Sequence, residues 1–178
     1  MSRIIITYGV ISGVIVIIGM YTGMALVSDH GSMGMVAGYL SMLVALSFVF
    51  VGVKRYRDVE MGGTIRFGKA LQVGFAIALI ASLFYVLSWE VYNWQTGGMF
   101  MAEYIAKNIE NMRAAGKSAA EIAKFSAEMQ GFAEQYKNPL FRMAMTFMEI
   151  APVALLMPLI SAALLRKSSF MPAKAAAA

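Results

Sequence analysis

The chain has 178 residues, of which 60% are hydrophobic and 14% charged, and its mean hydropathy is +0.67. Ordinary soluble domains contain about 25% charged residues, so this composition excludes that class of protein. Fifteen Lys and Arg residues exceed ten Asp and Glu residues, but they cluster at the ends of apolar runs, which argues against nucleic acid as a partner and favours anionic lipid head groups. With no cysteine and one histidine, the chain cannot form disulfides, thiolate metal centres or histidine-rich metal sites.

Four apolar runs are long enough to cross a membrane, because about 20 residues at ~1.5 Å rise span the hydrocarbon core. We predict transmembrane helices over about residues 4–27, 33–53, 70–94 and 140–165. The first run is longer than the apolar region of a signal peptide, so we predict a retained helix. The predicted fold is an all-α integral membrane four-helix bundle, one domain over residues 1–178, with a disordered tail over about 168–178.

Small residues in the first two helices predict close helix packing. Three pairs have the G-x-x-x-G spacing of membrane helix interfaces, namely Gly9 with Gly13, Gly19 with Gly23 and Gly34 with Gly38. We predict that helix one packs on its sequence neighbour, helix two, with homodimerisation through these two helices as the alternative. Asp29 and His30 in the connection between them are predicted to form a tight polar turn.

The connection between helices two and three carries the stretch KRYRDVEMGGTIRFGKAL, residues 54–71. Gly62 and Gly63 are suited to reversing the chain. Arg66 and Lys69 fall at the start of helix three, where the positive helix dipole disfavours cations. We therefore predict an anionic-lipid site formed by Arg57, Arg66 and Lys69, with generic membrane anchoring as the alternative.

The positions of Lys and Arg also predict the orientation of the chain. Basic residues precede helix one, lie between helices two and three, and follow helix four. In a four-helix chain these three places share one side, which the positive-inside rule assigns to the cytoplasm. Both termini are therefore predicted to be cytoplasmic, with residues 28–32 and 95–139 on the outside.

The outer segment over about residues 99–137 predicts an extracytoplasmic amphipathic helical hairpin between helices three and four. Gly116 offers a stop for its first helix, and Ser118 with Glu121 has the form of a capping box for the second. The second helix carries an apolar stripe at helical spacing, formed by Ile122, Phe125, Met129, Phe132 and Tyr136. The stripe either packs within the hairpin and on the bundle, or docks a protein partner or the lipid interface.

Two carboxyl groups lie inside the apolar runs and form a candidate intramembrane polar site. A charged group at the centre of a bilayer costs about 2.5–3.5 kcal/mol on insertion scales. Glu90 lies among aromatic residues typical of the head-group region. Glu149 lies deeper, beside a backbone carbonyl that Pro152 leaves without its usual helix partner. It either binds a proton, a cation or an amine, or is a protonated acid satisfied by a neighbouring helix, with Tyr85, Thr22, Tyr21 and Glu90 as possible partners.

The stretch from residue 56 to residue 94 resembles the bacterial family known as domain of unknown function 4199. The residues that carry the resemblance are Tyr56, Arg57, Gly62, Gly63, Phe67, Gly68, Ala70 and Gly74. The resemblance implies a small four-helix protein of the bacterial inner membrane. It implies no activity, cofactor or catalytic residue.

No catalytic fingerprint occurs, since G-x-S-x-G, H-E-x-x-H, phosphate-loop and dinucleotide motifs are absent from the sequence. We predict no catalytic, metal or cofactor site. The favoured function is a non-enzymatic membrane component that interacts with lipid or with an extracytoplasmic protein partner. The alternatives are a small proton- or cation-coupled transporter using Glu149 and, third, a membrane lipid enzyme.

Overall fold

A computed structural model describes residues 3–26 and 32–173, and within those ranges the chain is all-helical, without strands. Its six helices are α1 (Arg3–Leu26), α2 (Ser32–Glu60), α3 (Phe67–Gln95), α4 (Phe100–Ala114), α5 (Ala119–Tyr136) and α6 (Pro139–Leu165). The helices α1, α2, α3 and α6 are long and apolar enough to cross a membrane. The predicted all-α class and the four spans are thus confirmed, and they indicate a multi-pass membrane protein. The predicted turn at Asp29 and His30 lies outside the described residues.

The helix α2 extends seven residues beyond its predicted end at residue 53. Lys54 and Asp58 form an ion pair one turn apart, a spacing that supports a helix. The chain then reverses at Gly62 and Gly63, whose φ angles of 63° and 89° are positive and favour glycine. The backbone N–H of Gly63 donates to the carbonyl oxygen of Arg57 at 3.0 Å. The basic residues of this stretch therefore lie partly on α2 and partly at the start of α3.

The chain divides into two compact units. Unit 1 comprises Met1–Tyr85 and Met148–Ala178, and unit 2 comprises Val86–Phe147. The helices α3 and α6 each contribute residues to both units. That the chain forms a single domain stays a prediction. Unit 1 contains most of the four apolar helices, whereas unit 2 contains α4 and α5 with the adjoining ends of α3 and α6.

The helices of unit 1 approach one another closely at small residues. A Cβ atom at Gly13 would lie 2.5 Å from Cγ of Phe84, and Gly9 faces Ile80 in the same way. Both neighbours belong to α3. The first glycine pair therefore packs on α3, whereas the sequence analysis had predicted packing on α2. Packing with α2 also occurs, and Gly19 faces Ser41 there.

Further close approach joins α3 to α6 in unit 1, where a Cβ atom at Gly74 would lie 3.0 Å from Cβ of Pro158. By contrast, Gly23 and Gly38 have open space beside them within the described chain. Homodimerisation through α1 and α2 stays a prediction.

Unit 2 contains the two helices predicted for the outer segment, and α4 and α5 contact each other. The capping box is present: the Glu121 N–H donates to the Ser118 hydroxyl, and the Ser118 N–H donates to the Glu121 carboxylate at 2.9 Å. Gly116, with φ of 71°, follows the end of α4. The side of the membrane on which these helices lie stays a prediction.

Gly13→Ala is expected to lower the free energy of unfolding by about 1–3 kcal/mol, because the added methyl group must displace Phe84. Gly23→Ala on the same helix is the matched control, since open space and better helix propensity predict a change between zero and a gain of about 1 kcal/mol. Unfolding of the detergent-solubilised protein, followed by circular dichroism, measures both. Equal effects would contradict this packing.

The capping box also predicts a pH dependence at the start of α5. Hydrogen bonds from the Ser118 backbone N–H, the Lys117 ammonium group and the Ser118 hydroxyl lower the pKa of Glu121 from 4.5 to about 2. Because the folded-state pKa is depressed, this stabilisation is fully present above about pH 4.5 and is lost as pH falls through about 2. A carbon-13 NMR titration should place the Glu121 carboxyl midpoint near 2, and Ser118→Ala should raise it towards 4.5. An unchanged midpoint would show that the Ser118 hydroxyl does not contribute to the lowered pKa.

Candidate functional site

The side chain of Arg57 is fully buried in unit 1 and joins the end of α2 to the end of α6. Its guanidinium group donates to the carbonyl oxygens of Leu165 at 3.5 Å, Phe170 at 3.0 Å and Met171. Its Nε donates to the Asp58 carboxylate at 2.7 Å. The negative end of the α6 dipole lies at Leu165, which also favours a cation. These contacts, here called the Arg57 clamp, compensate a charge that burial would otherwise make costly.

Exposed cations lie at the three helix ends around the Arg57 clamp. Lys69 Nζ lies 5.8 Å from the ring centre of Tyr56, which brings the start of α3 to the end of α2. We define the basic surface as the exposed cations of these ends, namely Arg55, Arg66, Lys69, Arg166 and Lys167. None of them forms an ion pair with a carboxylate among the described residues, whereas Asp58 pairs with Lys54 and Arg57. The basic surface therefore has a strong excess of positive charge.

The sequence placed Arg57, Arg66 and Lys69 in one anionic-lipid site. The structure leaves Arg66 and Lys69 exposed but buries Arg57 completely. Arg55 and Arg57 are two residues apart on a helix and therefore point in nearly opposite directions, so one reaches the surface and the other the interior. Any lipid contact in this conformation must therefore come from the exposed cations, with Arg57 holding the helix ends in place.

The deeper of the two predicted carboxyl groups, Glu149, has a hydrogen-bond partner in unit 1. The Tyr85 hydroxyl donates to its Oε2 at 3.0 Å. Tyr85 is buried, whereas the Glu149 residue as a whole is exposed. The described residues contain no group of three His, Cys, Asp or Glu side chains placed to hold a metal ion. Glu149 is thus an exposed residue of α6 whose carboxyl group accepts a hydrogen bond from the Tyr85 phenol.

In unit 2, Glu90 is paired with Arg142 of α6. The guanidinium group binds the carboxylate through two atoms, with Nε to Oε1 at 2.8 Å and a second bond from Nη2 to Oε2. It also donates to the Tyr136 carbonyl at 3.0 Å and lies 5.7 Å from the centre of the Tyr136 ring. The Tyr136 hydroxyl accepts from Trp89 Nε1 at 2.7 Å. Paired charges with shared donors are the arrangement that makes partial burial tolerable.

The predicted partner-binding stripe of α5 is half-buried along its length, at Ile122, Phe125, Met129, Phe132 and Tyr136. The Phe132 ring lies 5.7 Å from the Phe141 ring and 5.9 Å from the Tyr136 ring, measured between centres. The C-terminal half of the stripe therefore packs within unit 2. Partner binding through the stripe stays a prediction.

The profile of one protein family matches residues 7–167, and its description is protein of unknown function (DUF4199). The match covers most of the chain and includes Arg57, Glu90, Arg142 and Glu149. The chain belongs to the DUF4199 family. This confirms the resemblance seen in the sequence. Comparisons with curated proteins and with solved structures gave no match. The DUF4199 description states no activity, so a function for this member has to be argued from its geometry.

Two features of these sites were missed by sequence reasoning. The sequence analysis did not single out Arg142, although an arginine at the start of an apolar run needs a counter-ion, and Glu90 was an available candidate near the end of α3. The carbonyl acceptors of Arg57 left no signal, because any residue type supplies a backbone carbonyl.

Arg57→Gln is expected to destabilise the protein by on the order of 3 kcal/mol, because it removes one partner of a buried charged network. The segment after Leu165 should also become more sensitive to protease, since its carbonyls lose their donors. The matched control is Arg55→Gln, which removes the same charge from an exposed side chain two residues away. Its free energy of unfolding is expected within about 0.5 kcal/mol of the wild-type value. Chemical unfolding in micelles and limited proteolysis measure the two effects, and equal stability would contradict the clamp.

Proposed function

We propose that this DUF4199 protein is a non-enzymatic component of the bacterial inner membrane that binds anionic phospholipids through the basic surface. The observation that carries the proposal is the Arg57 clamp, which joins the ends of α2 and α6 with their exposed cations. The contact of Lys69 with Tyr56 adds the start of α3. Each basic residue near an anionic membrane surface contributes about 1 kcal/mol of attraction. The proposal assigns no reaction, since the sequence contains no catalytic motif.

The proposed topology places the basic surface in the cytoplasm, with both termini on that side. This arrangement agrees with the positive-inside rule, because the short basic connections belong to the ends of α2, α3 and α6. It follows that α4 and α5 form an extracytoplasmic hairpin.

Lipid phosphate suits the start of α3 for a second reason. The first N–H groups of a helix have no partner within the helix, and the positive end of the helix dipole lies there. Arg66 and Lys69 are exposed on either side of Phe67, at which α3 begins. A phosphate group bound by these cations and N–H groups would offset the repulsion between the cations and the dipole.

Transport through Glu149 has less support from the geometry. A proton- or cation-coupled carrier needs a polar path around its ionisable group, whereas Glu149 is exposed at a helix edge with Tyr85 as its hydrogen-bond partner. A protein partner docking on the α5 stripe would have to compete with the ring contacts of Phe132. Lipid binding at the basic surface requires neither a polar path through the helices nor the displacement of the Phe132 contacts.

The double substitution Arg66→Gln and Lys69→Gln is expected to weaken binding of phosphatidylglycerol by about 2 kcal/mol, or roughly thirtyfold. Native mass spectrometry of the full-length protein, titrated with phosphatidylglycerol or phosphatidylcholine, counts the lipids bound. The preference for phosphatidylglycerol should also fall as salt is raised, because exposed charges are screened.

The matched control removes two exposed cations elsewhere, Lys107→Gln and Lys124→Gln on α4 and α5. It has the same change in net charge and should retain the lipid preference of the wild type. Equal losses in both double variants would show that net charge, rather than the basic surface, governs binding. No preference for phosphatidylglycerol in the wild type would contradict the proposal.

A further inference from the structure

Unit 2 contains an open cleft of about 920 Å³ beside the ion pair of Glu90 and Arg142. Apolar side chains of α4 and α5 line one part of the cleft, among them Met101, Ile105 and Ala133. The ion pair of Glu90 and Arg142 lies at another part. A cavity with an apolar wall and convergent polar groups is the usual form of a ligand site.

The polar part of the cleft has unused hydrogen-bonding capacity. The Arg142 side chain is 11% exposed, and it uses three of the five N–H donors of a guanidinium group in its bonds to Glu90 and Tyr136. Lys137 also lines the cleft, and its bond to Glu134 lies at a surface where both side chains are 71% exposed. Such exposed ion pairs are weak, so the ammonium group is free to turn towards a ligand.

The charges at the cleft favour an anion. Arg142 and Lys137 line the cleft with two positive charges and Glu90 with one negative charge, while Glu134, which pairs with Lys137, does not line it. Guanidinium and ammonium groups are the side chains that bind phosphate. The Asn93 amide at the cleft adds further donors. A phosphate group is therefore the anion that this donor set fits best.

The position of the cleft indicates how its ligand would approach. Glu90 lies five residues before the end of α3 at Gln95, and Arg142 lies three residues after the start of α6 at Pro139. Both helices are candidate membrane spans, so their ends lie near a membrane surface. Trp94, which also lines the cleft, is 79% exposed, as is typical of indole rings at the lipid interface.

We propose that this cleft binds an amphiphile that carries a phosphate group. The phosphate accepts hydrogen bonds from Arg142 and Lys137, and the apolar body contacts Met101, Ile105 and Ala133. The site is separate from the basic surface, which belongs to unit 1. The ligand is therefore expected to come from the membrane, as a phospholipid; a soluble phosphorylated molecule lacks the apolar chain, and the two probes below distinguish these sources.

The test uses the full-length protein in dodecyl maltoside, with Arg66→Gln and Lys69→Gln present so that lipid binding at the basic surface is weakened. Both tryptophans of the chain lie at or beside the cleft, since Trp94 lines it and Trp89 bonds to Tyr136, so intrinsic fluorescence reports on occupancy. Lysophosphatidylglycerol should give a saturable change. Glycerol 3-phosphate, which lacks the chain, should bind at least about tenfold more weakly because it buries no apolar surface.

Ala133→Phe places a bulky ring at the apolar wall of the cleft and should weaken lysophosphatidylglycerol binding by at least about tenfold, whereas Lys137→Gln should weaken it by about threefold. Arg113→Gln is the matched control, because Arg113 is an exposed cation of α4 that does not line the cleft, and it should bind as before. Melting temperatures measured alongside verify that each variant is folded.

Three results would overturn the proposal. The absence of a saturable change with either probe, or unaltered binding by folded Ala133→Phe, would exclude the cleft as the site. Equal affinity for the two probes would exclude an amphiphile and indicate a site for free phosphate compounds. The readout comes from tryptophans at the cleft and the basic surface is weakened in every variant, so these results are distinguishable from the lipid binding proposed for the basic surface.

Discussion

Burying a full positive charge at the end of an apolar helix bundle is the constraint on which unit 1 depends. The Arg57 guanidinium group cannot be left without acceptors, because the loss of water around a charge is costly. The acceptors come from the end of α6 and the segment after it, so satisfying one side chain fixes the ends of two helices. The loop that leads to α3 is held as well, since Gly63 bonds to the Arg57 carbonyl. The exposed cations of the basic surface take their positions from this arrangement.

Unit 2 meets the same constraint with different chemistry. Arg142 is compensated by the Glu90 carboxylate and one carbonyl, which leaves part of its donor capacity unused. Arg57 is enclosed completely, whereas Arg142 borders an open cleft. The first arginine is therefore committed to the fold, and the second can serve both the fold and a ligand. In unit 1, Glu149 has a phenol as its partner, since the Tyr85 hydroxyl donates to one of its carboxyl oxygens.

Local patterns in the sequence were sufficient to predict the four spans, the two shorter helices and the capping box, because each depends on residues within a few turns of one another. Features that depend on which helices meet could not be read in this way. The glycine pair at Gly9 and Gly13 predicted a close contact but not that α3 would provide it. Similarly, a lone arginine in a basic stretch gives no sign of whether it points to solvent or to the interior.

The acceptors of the Arg57 clamp beyond α6 are main-chain atoms, and this has a consequence for how the sequence can diverge. Substitutions at residues 168 and 169 leave the carbonyl groups in place, so the identities of these two residues are free to drift, whereas the Phe170 ring also packs edge-on against Phe50, 6.4 Å between centres. Met171 is more restricted, because its positive φ of 48° suits few side chains. The number of residues between Leu165 and Met171 is fixed, since one insertion would shift every carbonyl. Selection on the clamp therefore acts on length rather than on composition, and comparisons by residue identity would overlook it.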